Sequence, residues 1–99
     1  MRLRLEVTAL AERQIRVASR WWNENRRAAS NLLREELARG FELITTHPEA
    51  GPRTRDVTLP EVRRLHLYRI RYYLYYRANT ESVKILAFWH TSRGQAPEL

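Results

Sequence analysis

Hydrophobic side chains recur with two different periods along this 99-residue chain, and the order of those periods constrains the fold. Residues 2–7 alternate, with Leu3, Leu5 and Val7 separated by charged neighbours. Such alternation is typical of a half-buried β-strand. From residue 9 onward the spacing changes to the three- and four-residue steps of an amphipathic helix. The chain is therefore predicted to begin with a strand and then a helix, with Thr8 as the helix N-cap.

Two helices are predicted before the first proline of the chain. The first covers residues 9–23, and the second covers residues 27–46. The second ends before Pro48, because a residue that precedes proline avoids the helical conformation. Two helices joined by a few residues are expected to form an antiparallel hairpin. The apolar stripe of the first helix contains Ala11, Ile15, Ala18 and Trp22.

Three strands are predicted after a loop at residues 48–61. They cover residues 62–67, 70–77 and 82–90. Their connections are short, which predicts antiparallel hairpins. The chain length permits one domain, residues 1–99. We therefore predict an α+β fold of order β-α-α-β-β-β, with the helical hairpin packed on one face of an antiparallel sheet and the first strand pairing with a later one.

Alternation along the closing strands divides their side chains between a helix-covered face and an open face. The side chains expected beneath the helices are Leu65, Leu67, Ile70 and Leu74. The open face is expected to carry Arg64, His66, Arg71 and Tyr73, with His90 and Arg93 where the chain leaves the sheet. On the last strand, strict alternation predicts two faces: one with Val83, Ile85, Ala87 and Trp89, the other with Lys84, Leu86, Phe88 and His90.

The net charge of +7 rests almost wholly on arginine, because Lys84 is the only lysine among 18 basic residues. The planar guanidinium group suits phosphate and carboxylate, so an acidic partner is predicted: nucleic acid or an acidic protein segment. Arginine beside tyrosine on a sheet face can neutralise phosphates and stack bases. The same residues are also typical of an ordinary solvent-exposed strand, and both interpretations stay open at this point.

Several chemistries are excluded or unsupported by the sequence. Cysteine is absent, which excludes disulfides and thiolate zinc sites. The three histidines have too few carboxylate neighbours to predict a metal site, and no cofactor-binding motif is found. Neither a membrane span nor a signal-peptide stretch is predicted, and a cytoplasmic location is expected. If the protein is an enzyme, His90 at the strand end is a better acid–base candidate than His66.

Five segments, taken together, resemble the RelE/ParE superfamily of toxins from type II toxin–antitoxin modules. The first is His47-Pro48-Glu49-Ala50-Gly51, after the second helix. The next three resemble the three closing strands of that superfamily: Val62-Arg63-Arg64-Leu65, Tyr72-Tyr73-Leu74-Tyr75-Tyr76-Arg77 and Ile85-Leu86-Ala87-Phe88-Trp89-His90. The ending His90-Thr91-Ser92-Arg93-Gly94 is similar to its basic tail. The resemblance spans nearly the whole chain and implies the same β-α-α-β-β-β fold.

The resemblance leaves two mechanisms open. RelE-like members cut mRNA on the ribosome, where the 2′-hydroxyl attacks the neighbouring phosphate. By matched position, the catalytic residues of that branch would be Arg64, His66, Arg71, His90 and Arg93. No tyrosine follows Arg93, although that branch often has a terminal tyrosine. ParE-like members share the fold, lack the nuclease residues and poison DNA gyrase.

The ParE-like branch is slightly favoured by the long helical hairpin and by the tail without tyrosine. Arg64, Arg71, Tyr73 and Arg93 would then bind the target instead of cutting RNA. The resemblance also implies a cognate antitoxin that wraps the toxin with an acidic, amphipathic segment. Trp21 and Trp22 are both candidate antitoxin contacts. Trp22 also matches the buried stripe of its helix, and Trp21 lies at the margin of that stripe, where packing at the edge of the core is the more frequent explanation.

Overall fold

The computed structural model describes residues 1–99 as a four-stranded sheet with two helices against one face. The elements are β1 (Arg4–Val7), α1 (Ala9–Asn25), α2 (Leu32–Thr46), β2 (Arg63–Leu67), β3 (Tyr72–Ala78) and β4 (Ser82–His90). This order confirms the predicted α+β class and the β-α-α-β-β-β arrangement. No helix has the length and apolar character needed to cross a membrane.

Local side-chain contacts fix the ends of the helices. The Thr8 hydroxyl accepts a hydrogen bond from the amide of Ala11 at 3.2 Å, which confirms the predicted N-cap of α1. The second helix begins at Leu32 instead of residue 27, because residues 27–29 form a separate 3₁₀ turn. The indole of Trp22 donates to the carbonyl of Ala29 at 2.7 Å and ties that turn to α1.

The sheet has the strand order β1-β4-β3-β2, and one pairing differs from the prediction. The pairs β2–β3 and β3–β4 are antiparallel, as the short connections indicated. However, β1 lies parallel to β4, with Arg4 opposite Ser82, so the sheet is mixed. The sequence specifies the strands but not the route of the long connection after α2, and that route decides the direction of β1 relative to the last three strands.

The main core lies between the helices and the sheet. Leu67, Ile70 and Leu74 are buried there against apolar side chains from both helices, as predicted. Leu65 is partly buried and packs against the same cluster. Ile70 is only 2% exposed although it precedes β3 in a turn. The sheet face beneath the helical hairpin is therefore filled largely by apolar side chains.

A β-bulge in β4 interrupts the alternation of its side chains. Tyr75 pairs with Ala87, but Tyr76 pairs with Ile85, so Leu86 has no residue opposite it on β3. An extra residue in one strand shifts every later side chain to the other face. The bulge therefore overturns the face assignment that strict alternation predicted for the end of β4.

The residues of β4 that follow the bulge therefore lie on the face opposite to the one that alternation from the start of the strand predicts. Phe88 packs in the main core, and His90 lies edge-on to Tyr72 with ring centroids 4.9 Å apart. Ala87 and Trp89 belong to the opposite face. The predicted position of His90 beside the open face is therefore wrong, because the bulge turns its ring toward the helices.

A second, smaller core covers part of the face that was predicted to be open. It consists of Val62, Tyr75, Leu86 and Ala87. The loop before β2 and the end of the chain pack over it, and the amide of Leu59 donates to the carbonyl of Leu99 at 3.1 Å. The end of this face near the β2–β3 turn lies outside that cover.

Candidate functional site

The sheet separates two of the predicted site residues from the others. Arg64, His66 and Tyr73 lie on the face away from the helices, where Arg64 and Tyr73 contact Tyr75 of the smaller core. Arg71 and His90 line a groove on the helix side. The face away from the helices and the groove are described in turn.

Arg71 lies in the β2–β3 turn instead of the strand that the sequence predicted. Its φ of 62° is in the left-handed region, and its carbonyl accepts from the amide of Thr91 at 2.9 Å. The turn is longer than predicted, since the amides of Ile70 and Arg71 both bond to the carbonyl of Leu67. The predicted position of Arg71 on the open face is therefore wrong, because alternation stops before β3 begins.

The groove lies between α1 and the ends of β3 and β4, with a volume of about 950 Å³. Five arginines line it, and His90 adds a sixth basic side chain, whereas no carboxylate lines it. The five are Arg13, Arg26, Arg69, Arg71 and Arg93. We call this feature the arginine groove. Such a concentration of guanidinium groups favours a ligand that carries several negative charges.

The floor of the arginine groove is apolar. Trp22, Ile70 and Phe88 form it and are each less than a tenth exposed. Trp21 and Val17 stand at the rim with 48% and 61% of their surfaces exposed. The two tryptophan rings meet edge to face, with centroids 6.1 Å apart. An apolar floor within a cationic rim fits a segment with apolar side chains on one side and carboxylates on the other.

Three arginines of the groove were not predicted from the sequence, although a pattern along α1 marks one of them. Arg13, Val17 and Trp21 follow each other at steps of four, which places them on one side of α1. That stripe runs beside the buried one and has no partner within the helical hairpin. Arg26 and Arg69 reach the groove only through the tertiary fold, so no local pattern marks them.

Arg69 forms an ion pair with a carboxylate of α2. Its guanidinium lies 3.6 Å from a carboxylate oxygen of Glu36, whose side chain is only 10% exposed. An almost buried carboxylate requires a cation nearby, so this ion pair fixes the position of Arg69 at the groove edge.

On the opposite face, planar side chains contact each other in a row near the β2–β3 turn, with their rings tilted by 39° and 50°. The ring of His66 lies 3.9 Å from that of Tyr68 and 4.9 Å from that of Tyr73. The Arg64 guanidinium lies 4.1 Å from the centre of the Tyr73 ring. These are distances at which aromatic stacking and cation–π attraction are favourable.

The row continues into β4, because Trp89 lies opposite Tyr73 in the β3–β4 pair. The Arg93 guanidinium lies 3.9 Å from the centre of the Trp89 ring. We call the six side chains the aromatic row: Tyr68, His66, Tyr73, Arg64, Trp89 and Arg93. Arg93 also lines the arginine groove, so it stands at the sheet end between the two surfaces.

Comparison with known proteins bears on the family and the fold of this chain. The family model described as "ParE toxin of type II toxin-antitoxin system, parDE" matches residues 5–94. The chain belongs to the ParE toxin family. It is accordingly the toxin component of a type II toxin–antitoxin system, and its partner is a cognate antitoxin. No curated protein matches this chain.

A solved structure supports the fold of this ParE-family toxin. It is described as "Chromosomal ParDE TA system from P. aeruginosa". The two chains are 16% identical, with a TM-score of 0.72, and the match covers 91% of this chain and 97% of the other. At that identity the likeness concerns the fold, and it agrees with the predicted resemblance to the RelE/ParE superfamily.

Arg64 is the most constrained arginine of the aromatic row. Its guanidinium donates to the Tyr75 hydroxyl at 3.5 Å and pairs with Asp56 at 3.2 Å. The hydrogen bond to Tyr75 raises the pKa of Arg64, and burial opposes that shift. Arg64 is thus a permanent cation that Tyr73, Tyr75 and Asp56 hold against the sheet.

The His66 imidazole should make the stability of the toxin pH-dependent. Burial, and to a smaller extent the charge of Arg64, lowers the pKa of His66 below its usual 6.5. The unfolded chain therefore binds a proton more readily than the folded chain does. The contribution of a neutral His66 to the free energy of unfolding is fully present above about pH 7 and decreases as the pH falls through 6.5. We expect the unfolding midpoint to fall less between pH 7 and pH 6 in His66→Gln. Equal slopes in both proteins, measured by thermal unfolding, would contradict this.

Proposed function

We propose that this ParE-family toxin inhibits DNA gyrase and has no nuclease activity of its own. The observation that supports this most is the separation of the residues that a RelE-like nuclease would need. Arg64 and His66 lie on the face away from the helices, whereas Arg71 and His90 line the arginine groove. A cytoplasmic site of action follows from the proposal, because gyrase acts on DNA there.

The chemistry of RNA cleavage explains why this separation matters. Attack by the 2′-hydroxyl needs a general base, a general acid and a cation close to a single phosphate. Of the five residues matched to the nuclease branch, one histidine and one arginine lie on each side of the sheet, and Arg93 stands between them. The sequence also lacks a tyrosine after Arg93 that could supply a proton donor. An inhibitor that acts only by binding its target does not need these groups to lie close to a single phosphate.

We further propose that the antitoxin fills the arginine groove. An amphipathic segment would place apolar side chains against Trp22, Ile70 and Phe88 and its carboxylates against the arginine rim. Trp21, half exposed at the rim, would then be covered together with Trp22. In this arrangement both tryptophans contact the antitoxin: Trp22 as part of the groove floor and Trp21 at the rim.

A RelE-like activity is the second candidate, and one observation favours it. Arg64, His66 and Arg93 all belong to the aromatic row, so a phosphate bound there would meet two arginines and a histidine. On that alternative the toxin would bind the ribosome and cut mRNA, without Arg71 or His90 at the scissile bond.

Induction of the toxin in cells separates the two candidates. We expect a DNA-damage (SOS) reporter to be switched on while transcripts stay intact, as measured on the same cultures. Co-expression of the antitoxin should abolish the reporter signal. Transcripts cut in a ribosome-dependent manner, with the reporter silent and cleavage lost in Arg64→Gln, would overturn the gyrase proposal and support the alternative.

A further inference from the structure

The aromatic row has features that neither gyrase inhibition nor antitoxin binding explains. His66 and Tyr68 belong to neither hydrophobic core, although their rings lie 3.9 Å apart. Tyr68 is 76% exposed, so one face of its ring is open to solvent at the end of the row. Single exposed aromatics are common on protein surfaces, but aromatic rings that contact each other outside the core form a contiguous aromatic surface.

The cations of the row lie over its rings. Arg64 covers Tyr73 and Arg93 covers Trp89, at 4.1 and 3.9 Å from the ring centres. A guanidinium placed beside aromatic rings offers a planar cation on which a nucleobase can stack. Arg93 is exposed and forms no ion pair, which leaves its charge free for a phosphate.

One carboxylate limits the positive potential of the row. Asp56 pairs with Arg64 at 3.2 Å, and its own side chain is 61% exposed. A phosphate that approached Arg64 would have to compete with this ion pair. The pair is exposed on one side and consequently weak, so the competition costs little.

The ligand that matches these features is a single-stranded polynucleotide. Its unpaired bases offer faces for stacking, and its phosphates pair with arginines, whereas a duplex hides its base faces inside the helix. The row extends from the turn after β2 to the end of β4, across three adjacent strands. Sheets of that width stack two or three bases in other nucleic-acid-binding domains.

We propose that the aromatic row is a platform on which this toxin binds single-stranded nucleic acid by base stacking. Tyr68 is the outermost ring and takes the first base, and Arg93 neutralises a phosphate at the other end. This binding requires no gyrase and no antitoxin, so it can fail or succeed independently of the proposed function. Stacking and charge neutralisation do not need a 2′-hydroxyl, so DNA and RNA strands should bind alike.

Fluorescence anisotropy of purified toxin with labelled oligonucleotides of about 15 nucleotides tests the proposal. We expect oligo-dT and oligo-rU to bind with affinities within about threefold of each other, and a duplex of equal length to bind at least about tenfold more weakly. Strict preference for RNA, equal affinity for the duplex, or equally tight binding of inorganic polyphosphate would each overturn the stacking platform.

Variants of the exposed end give the sharper test. Loss of one stacking ring in Tyr68→Ala should weaken binding about tenfold, whereas Tyr68→Phe keeps the ring and should bind like the wild type. Arg93→Gln should also weaken binding, whereas Arg39→Gln removes an equal charge from the exposed surface of α2 and serves as the control. Equal losses in Arg93→Gln and Arg39→Gln would show that net charge alone is responsible and contradict the proposal.

A gain of affinity is expected from one further variant. Asp56→Asn removes the carboxylate that competes for Arg64, so binding should become about two- to fivefold tighter at low salt. The exposed loop position of Asp56 makes a folding defect improbable as a confounding effect, and circular dichroism checks this directly. Unchanged or weaker binding in Asp56→Asn would contradict the role assigned to Arg64.

Discussion

Reversing two charges at the rim of the arginine groove is expected to weaken antitoxin binding by at least about 100-fold. The variant is Arg13→Glu combined with Arg26→Glu. Both side chains are exposed and line a groove without any carboxylate, so neither substitution disturbs the core. The new carboxylates would repel the acidic side chains of the antitoxin and leave those charges unpaired. Isothermal titration calorimetry with the cognate antitoxin measures the change.

A matched control distinguishes the groove from net charge. Arg34→Glu with Arg39→Glu changes the charge by the same amount on the exposed surface of α2. Antitoxin affinity in this control should stay within about fivefold of the wild type at moderate salt, since distant surface charges are screened. If both double variants lose affinity equally, the antitoxin does not depend on the arginine groove, and the proposed binding site is wrong.

Removal of the Tyr76 hydroxyl should cost about 2–3 kcal/mol of stability. The hydroxyl is buried, accepts from the amide of Gly51 at 2.9 Å and donates to the carbonyl of Pro48 at 2.7 Å. Burial raises the pKa of Tyr76, so the proton needed for that donation is retained. In Tyr76→Phe both backbone groups lose their partner, and the loop after α2 loses its attachment to β3. Chemical denaturation measures the free energy of unfolding.

The neighbouring tyrosine provides the comparison for that prediction. Tyr75 is equally buried, but its hydroxyl makes only a 3.5 Å contact with Arg64. Tyr75→Phe should therefore cost less than about 1 kcal/mol. Equal losses in the two variants would mean that ring packing alone matters and that the Pro48–Gly51 segment is held by other contacts.

The elements with strong periodicity were predictable from the sequence. The last strand was predicted at residues 82–90 and β4 is Ser82–His90, while Thr8 and Pro48 correctly marked the limits of the helical region. These features depend on neighbouring residues: alternation, a capping hydroxyl and the conformation imposed by proline. Local physics is readable in a sequence because it requires no knowledge of the tertiary fold.

The candidate site was harder to predict, because small backbone irregularities determined it. The bulge at Leu86 reversed the face of His90, and no residue in Leu86-Ala87-Phe88 signals a bulge, since all three are apolar and tolerate either face. Arg71 left the predicted strand because the β2–β3 turn takes up two more residues, Ile70 and Arg71, the second in a left-handed conformation. Both deviations depend on the packing of the whole sheet, which alternation alone does not include.

The segments that pack over the second, smaller core could not be predicted from the sequence either. The loop before β2 and the last residues of the chain meet on the sheet face, where Leu59 bonds to Leu99. Contacts between segments that are distant along the chain have no local pattern. Only part of the predicted basic–aromatic face consequently remains accessible, and the aromatic row lies in that part.

The measurement that tests the central claim most directly uses purified toxin in two parallel assays. In the first, gyrase supercoils relaxed plasmid with and without the toxin; in the second, ribosomes programmed with mRNA receive the same toxin preparation. We predict that the toxin blocks gyrase, that antitoxin restores supercoiling, and that the mRNA stays uncut. Uninhibited gyrase together with ribosome-dependent mRNA cleavage would contradict the account.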